Sequence, residues 1–224
     1  MRIRVSLATA AVLCCAWSGV AEAKKVMLDA GLYTEYSNNG TSIEFIVCGS
    51  VGNSEGCYGG GGLGPLEQAC AVLEGKPKQK DNVITRAIYV LDKRSSNAVP
   101  ITLNVFTRTD TFSSDYVSTQ VQQTKQVPLG VTGGPDAKCS MAANDAFIYA
   151  GTDAHNRVVA IDKKAFTLST TEGDDNVQSI TADDRGYVAL DFGGGNIVFD
   201  PQGNELSGGG GPADMVGTRN AWKP

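Results

Sequence analysis

The sequence predicts an all-β protein. Runs rich in Val, Ile, Thr, Tyr and Phe recur along most of the chain, and Gly, Asn, Asp or Pro bounds each run, as expected for strands and turns. Helix signals are scarce, and no long linker divides the strand-like runs. A sequence repeat in the C-terminal half indicates that the strands group into several small sheets. We therefore expect one all-β domain over residues 24–224.

Residues 1–23 have the features of a cleaved secretory signal peptide. Two arginines precede an apolar run from Val5 to Trp17, and Ala21-Glu22-Ala23 is the small-x-small pattern that signal peptidase recognises. The run is shorter than the roughly 18 residues that a membrane-spanning helix needs. We expect cleavage after Ala23, a mature chain that begins at Lys24, and a periplasmic or secreted location without membrane insertion.

The charge of the expected mature chain excludes some classes of partner. Removing residues 1–23 takes away two of the 19 basic and one of the 24 acidic residues, which leaves 17 against 23 and a formal charge of -6. Nucleic acids and anionic membrane surfaces both recruit basic patches, so neither is an expected partner.

The strand-like runs fall into sets that follow one another along the chain. The first complete set is "ACAVLEG", "VITRAIYVLD", "ITLNVFTRTD" and "TQVQQTKQVPL"; the second extends from "CSMAAND" to "FTLST", and the third from "NVQSITAD" to "NELSG". Three further strands are expected before residue 64, from "VMLDAGLY", "SIEFIVCG" and a run within residues 52–64. The C-terminal "ADMVGTRNAW" supplies one more candidate strand.

The second and third sets repeat one another. At a shift of 38 residues, "DAFIYAGTDAHNRVVAIDKKAFTLS" lies over "DDRGYVALDFGGGNIVFDPQGNELS". The shift pairs Asp145 with Asp183, Tyr149 with Tyr187, Asp153 with Asp191, Asp162 with Asp200, Leu168 with Leu206, and Ser169 with Ser207. A period near 40 with about four strands per unit is typical of a β-propeller blade.

Over residues 139–207 these units resemble the blades of the YVTN and NHL-like propeller families. The resemblance implies a propeller fold. Counting the strand sets favours four blades, with five as the alternative, and N-terminal and C-terminal strands together would close one blade. A β-sandwich is the further alternative. The segment "GPLEQACAVLEG" followed by "IYVLD" is also similar to segments of uncharacterised exported bacterial proteins, a resemblance that implies no activity.

Four cysteines remain after cleavage, and in an exported chain an even number indicates disulfides. They are Cys48, Cys57, Cys70 and Cys139. Metal binding is disfavoured because the chain has no CxxC pair and only one histidine. The first two cysteines belong to one expected hairpin and the other two to the first strands of successive sets. We therefore predict the pairs Cys48–Cys57 and Cys70–Cys139.

The glycine-rich segment at 59–64 satisfies the GxGxxG pattern with Gly59, Gly61 and Gly64, and Asp92 ends a later strand. A dinucleotide site is disfavoured because the preceding strand ends too early and no βαβ units follow. We expect a loop between strands and no cofactor.

Other candidate residues are interpreted as turn residues. His155 lies in the polar turn "TDAHNRV", and the chain has neither a GxSxG elbow nor an HExxH motif. The acidic stretches 172–176 and 182–186 lack the ligand spacing of an EF-hand, and Asp and Asn are common turn formers. The sequence thus assigns no catalytic residue and no metal ligand.

These observations favour an exported, non-enzymatic scaffold whose loops bind a protein or glycan. One alternative is a propeller hydrolase or lactonase with a divalent metal in its central channel, and another is a structural component of the cell envelope.

Overall fold

The computed structural model describes residues 33–38, 41–51, 54–93, 96, 98–113, 116–193 and 195–206. All the regular secondary structure within these ranges is β-strand, so the all-β prediction is confirmed. The sixteen described strands form four antiparallel sheets of three to five strands. The predicted cleavage site after Ala23 and the C-terminal "ADMVGTRNAW" lie outside the described residues.

We number the sheets I to IV in chain order. Sheet I contains β1 (Tyr33–Asn38), β2 (Ile43–Val51) and β3 (Ser54–Leu63). Sheet II contains β4 (Gln68–Glu74), β5 (Lys78–Lys80), β6 (Val83–Lys93), β7 (Pro100–Phe112) and β8 (Val117–Thr132). Sheet III contains β9 (Cys139–Ala143), β10 (Phe147–Thr152), β11 (Arg157–Asp162) and β12 (Leu168–Glu172). Sheet IV contains β13 (Ser179–Ala182), β14 (Val188–Asp191), β15 (Asn196–Phe199) and β16 (Glu205–Leu206).

The predicted strand sets correspond to sheets II, III and IV. In each of these sheets the long strands follow chain order, and short strand β5 pairs with β6 at the margin of sheet II. Strand β5 was not predicted because its "KQK" sequence has no apolar alternation. Four small sheets, rather than the two of a β-sandwich, agree with the propeller-like architecture that we expected.

Apolar clusters join the sheets in sequence. One cluster contains Phe45 of sheet I and Ile88 of sheet II. A second contains Leu103 of sheet II and Ile148 of sheet III, and a third contains Tyr149 of sheet III and Leu190 of sheet IV. Strands alternate their side chains between two faces, so sheets II and III each bury both faces. The closure of one blade by strands from both chain ends stays a prediction, because residues 207–224 are not described.

Sheets III and IV share their turn chemistry, although not at one constant shift. Asp162 and Asp200 both accept backbone N–H bonds in the turn that follows β11 or β15, as the shift of 38 predicts. The ladders, however, pair Ile148 with Ile161 and Val188 with Phe199. If Asp162 is equivalent to Asp200, then Ile161 is equivalent to Phe199, and their ladder partners Ile148 and Val188 are also equivalent. The equivalent of Tyr187 is therefore Phe147, whereas the shift of 38 pairs Tyr187 with Tyr149. An ungapped comparison cannot represent turns of unequal length.

The glycine-rich segment is a strand, so the prediction of a loop is wrong. Gly59 to Leu63 form the second half of β3; Gly60 to Leu63 pair with β2, and Gly59 lies at a shift in the register. A Cβ atom at Gly59 would lie 2.6 Å from the Val117 carbonyl oxygen, and one at Gly60 would lie 2.5 Å from that of Phe45. Glycine therefore permits a close backbone approach here, both to β2 and to β8 of the neighbouring sheet.

Candidate functional site

Three connections lie close together at one end of sheets II and III. They are the β8–β9 loop (133–138), the β10–β11 turn (153–156) and the β12–β13 loop (173–178). Successive strands of these sheets are antiparallel, so the chain returns to the same end after every second strand. We call these three segments the loop platform.

The β10–β11 turn contacts both other segments of the platform. Asp153 receives a hydrogen bond from the Lys138 amide at its Oδ1 (2.8 Å) and donates its own amide to the Lys138 carbonyl (3.0 Å). Asn156 donates from Nδ2 to the Gly173 carbonyl (2.8 Å), and the Gly173 amide donates back to the Asn156 carbonyl (2.9 Å). These reciprocal bonds hold the three segments in one arrangement.

His155 is part of the same network. Its Nε2 lies 2.8 Å from Thr132 Oγ1 at the end of β8, and its carbonyl oxygen accepts the Val177 amide (2.9 Å). The residue is half-buried, so it is less exposed than a turn position usually is. His155 therefore connects the β10–β11 turn to the end of β8 and to the β12–β13 loop. Within the described part of the chain, no three His, Cys, Asp or Glu side chains are grouped closely enough to hold a metal ion.

The outer surface of the platform is polar and predominantly acidic. Its exposed ionisable side chains are Asp136, Lys138, Asp174 and Asp175, and an exposed ion pair between Arg157 and Glu172 lies beside it. Residues 173–176 of the acidic stretch 172–176 therefore belong to the platform, and Glu172 lies at its edge in β12. Such a surface suits a partner with basic groups or hydroxyls, since both supply hydrogen-bond donors to carboxylates.

The second acidic stretch, 182–186, is a turn between β13 and β14. The buried Asp183 accepts backbone N–H bonds from Arg185 (3.0 Å) and Tyr187 (2.9 Å). Burial alone would raise the pKa of Asp183, but these bonds and the Arg185 guanidinium lower it below its usual value. This carboxylate stabilises the turn, as turn residues of its type commonly do.

Asp92 also has a structural role. The buried carboxylate accepts the backbone N–H groups of Glu67 (3.0 and 3.1 Å) and Gln68 (2.7 Å) at the start of β4. It therefore satisfies backbone donors where the chain enters sheet II. This arrangement differs from that of a dinucleotide site, in which the carboxylate faces a ribose.

The cysteines form the two pairs expected from the strand register. Cys48 and Cys57 lie directly opposite each other in the β2–β3 ladder, with Cα atoms 4.0 Å apart. Cys70 of β4 is bonded to Cys139 of β9, with Cα atoms 5.6 Å apart. The second bridge joins the first strands of sheets II and III. Both bridges agree with maturation in an oxidising compartment.

The sequence did not reveal a group of buried and partly buried charged residues between sheets I and II. We call it the charge cluster: Glu74 of β4, Arg86 of β6, and Arg108 and Asp110 of β7. Arg108 Nε donates to Asp110 Oδ1 (2.9 Å), and Arg86 Nη1 donates to Glu74 Oε2 (2.9 Å). Arg108 Nη1 also lies 3.3 Å from Glu74 Oε1. The side chains of Arg108 and Asp110 are 0% and 1% exposed.

Sheet I covers the charge cluster. The Arg108 guanidinium lies 4.8 Å from the centre of the Phe45 ring, and its Nη1 donates to Thr34 Oγ1 (2.8 Å). The Tyr36 hydroxyl donates to Glu74. Burial raises the pKa of Tyr36, and the adjacent Glu74 carboxylate raises it further.

Glu74 shows the opposite shift. Burial alone would raise its pKa, but the Tyr36 hydrogen bond and the charges of Arg86 and Arg108 outweigh burial and lower it. Arg108 and Asp110 alternate with threonines along β7, a pattern that from sequence alone resembles a solvent-facing surface. The signal that could have revealed the cluster is the presence of two arginines and two acids in neighbouring strands.

No protein-family model matches the chain, and a search of curated proteins finds no match. Among the described residues, no helix is long and apolar enough to cross a membrane.

Proposed function

We propose that this protein is an exported, non-enzymatic binding module whose loop platform binds a protein or glycan partner. The supporting observation is the set of hydrogen bonds that connects the β10–β11 turn to the loops on both sides. Loops that are ordered before binding lose little conformational entropy on association, so more of the contact energy contributes to affinity. Binding residues are also concentrated in loops on rigid scaffolds.

The charge of the platform narrows the chemistry of the partner. Asp174 and Asp175 are exposed at adjacent positions, and Asp136 is exposed on the β8–β9 loop. Carboxylates pair with the basic side chains of a protein and accept hydrogen bonds from the hydroxyls of a sugar. Both partner classes therefore belong to the proposal, and binding data can separate them.

Export is the second part of the proposal. The signal features of residues 1–23 and the two disulfides support a periplasmic or secreted protein. N-terminal sequencing of protein from a secreting host should find Lys24 as the first residue. A retained Met1, or a lipid-modified cysteine, would contradict this part.

The binding proposal can be tested with charge reversals at the two ends of sheet III. The test variant is Asp174→Lys with Asp175→Lys on the platform, and the control is Lys164→Glu in the exposed turn after β11. Purified mature protein is applied to a glycan array, and a photo-crosslinking amino acid at Ala154 captures protein partners in the producing organism. A crosslinker at Lys164 provides the matching control.

We expect a glycan signal or a saturable crosslink that the platform variant reduces at least about tenfold and the control retains, because charge complementarity contributes strongly to specificity. Equal crosslinking from Ala154 and Lys164, or unchanged binding in the platform variant, would contradict a binding site on the platform. Metal analysis of the same preparation tests the alternative of a metal-dependent hydrolase. Stoichiometric divalent metal that is required for hydrolysis would favour that alternative.

A further inference from the structure

We propose that the Cys48–Cys57 disulfide is a site of thiol–disulfide exchange, at which an external thiol attacks Cys57. The proposal concerns sheet I and is independent of the loop platform. It rests on a difference in accessibility, both between the two sulfurs of this bridge and between the two bridges of the protein.

The two cysteines of the bridge differ in exposure. Cys57 lies on β3 and is exposed, whereas Cys48 is 1% exposed. Cys48 belongs to the central strand of sheet I, where β1 places Tyr33 opposite it on one side and β3 places Cys57 opposite it on the other. An attacking thiolate therefore reaches the Cys57 sulfur more readily than the Cys48 sulfur.

The surroundings of Cys57 are open. Glu55, which precedes Cys57 by two residues in β3 and therefore lies on the same face of the strand, is also exposed. The rate of exchange depends on access and on which sulfur is attacked. The exposure of Cys57 therefore gives an external thiol access to this side of the bridge.

The second bridge lacks this access. Cys70 and Cys139 are partly buried and pack against the apolar cluster between sheets II and III, and Cys70 Sγ lies 3.5 Å from the Leu91 carbonyl oxygen. This bridge also closes a much longer chain segment, with a sequence separation of 69 against 9. Loop entropy therefore opposes its reduction more strongly than that of Cys48–Cys57.

The exchange consumes one thiolate in its first step. The thiolate forms a new S–S bond with Cys57 while the Cys48–Cys57 bond breaks, and the electron pair leaves on Cys48, which takes a proton from water. A second thiol then attacks the mixed disulfide, which releases Cys57 as a thiol and the reductant as its own disulfide. The bridge gains two electrons, and a dithiol supplies both thiols.

Differential alkylation tests the order of opening. Native protein is incubated with graded dithiothreitol, quenched with acid, alkylated and mapped by mass spectrometry, while circular dichroism monitors folding. We expect Cys48 and Cys57 to be labelled at least about tenfold faster than Cys70 and Cys139, because access controls exchange. Equal rates, or earlier opening of Cys70–Cys139, would overturn the proposal.

The attacked sulfur can be identified separately. Native protein treated briefly with glutathione should carry the adduct on Cys57, and an adduct mainly on Cys48 would refute the assignment. In the single variants, the free Cys57 of Cys48→Ser should react with a colorimetric disulfide reagent faster than the free Cys48 of Cys57→Ser. If either single variant does not fold, the adduct map of the native protein still decides the question.

Discussion

The two faces of sheet II are stabilised in different ways. Towards sheet III, Leu91, Leu103 and Leu129 pack against Ile148 and Ile161, and the Cys70–Cys139 bridge reinforces the contact. Towards sheet I, the charge cluster lies beside an apolar cluster. The apolar face gains stability from burial in any well-packed arrangement, whereas the charged face is stable only when each ion has its partner.

This difference assigns a separate role to the charged face. A buried ion pair often contributes little net stability, because desolvation offsets its attraction. The cluster does, however, engage sheet I at defined points, through Arg108 to Thr34 and through Glu74 to Tyr36. We infer that it helps to set the position of sheet I on sheet II, while the apolar contacts provide most of the stability.

The largest effect should follow from removing one ion of the cluster. Asp110→Ala leaves Arg108 buried without its closest carboxylate, and an uncompensated buried charge costs about 3 to 5 kcal/mol. Urea unfolding of the purified mature protein measures the loss. The control is Glu172→Ala in the exposed Arg157–Glu172 pair, which should change the free energy of unfolding by less than about 1 kcal/mol. Equal effects in the two variants would show that the cluster is solvated.

On the opposite face, the disulfide can be removed without creating a buried charge. Replacing Cys70 and Cys139 by serine should lower the free energy of unfolding by roughly 4 kcal/mol in the chain-entropy model, and the same change at Cys48 and Cys57 by roughly 2.5 kcal/mol. The ordering follows from sequence separations of 69 and 9. Chemical unfolding of the two double variants under non-reducing conditions compares them. A larger loss at Cys48–Cys57 would contradict the expected order.

A smaller effect is expected in β3, beside the irregularity in its ladder with β2. A Cβ at Gly60 would lie 2.5 Å from the Phe45 carbonyl oxygen, whereas one at Gly62 meets nothing within 4 Å. Gly60→Ala should therefore destabilise by about 1 to 3 kcal/mol through overpacking. Gly62→Ala, the matched control two residues away, should be neutral or slightly stabilising. Thermal unfolding of both variants checks this, and equal melting temperatures would contradict the close approach.

The sequence was informative where one local rule determines the structure. Alternating apolar residues and turn residues predicted the long strands of sheets II, III and IV. The strand positions of the four cysteines, two in sheet I and one each in sheets II and III, predicted the disulfides. It failed where a second sheet decides the outcome. Arg86, Arg108 and Asp110 follow strand alternation and resemble an exposed face until sheet I covers them. Glycine has low strand propensity, so the role of Gly59 emerges only from the β8 backbone of sheet II that approaches it.

Glu74→Gln keeps the shape of the side chain and removes its charge, so it tests the pH dependence that this carboxylate gives to the stability of the fold. The pKa of Glu74 is lower in the folded protein than in the unfolded chain, because the Tyr36 hydrogen bond and the charges of Arg86 and Arg108 outweigh burial. Asp110 is the other carboxylate of the cluster. A lowered pKa stabilises the fold above the unfolded value, about 4.3, and this contribution is lost as pH falls through the folded value.

The wild-type protein should therefore lose stability more steeply than Glu74→Gln below about pH 4.5. Tyr36 has the opposite sign, since its raised pKa stabilises the fold below about pH 10 and the contribution is lost at higher pH. Tyr36→Phe should reduce the loss of unfolding free energy at alkaline pH. The loss at acid pH should remain in this variant. Urea unfolding from pH 3 to 11 measures both slopes, with Glu172→Gln as the exposed control. If the free energy of unfolding fell equally with acid pH in the wild type and in Glu74→Gln, sheet I would not hold Glu74 in its ionised form.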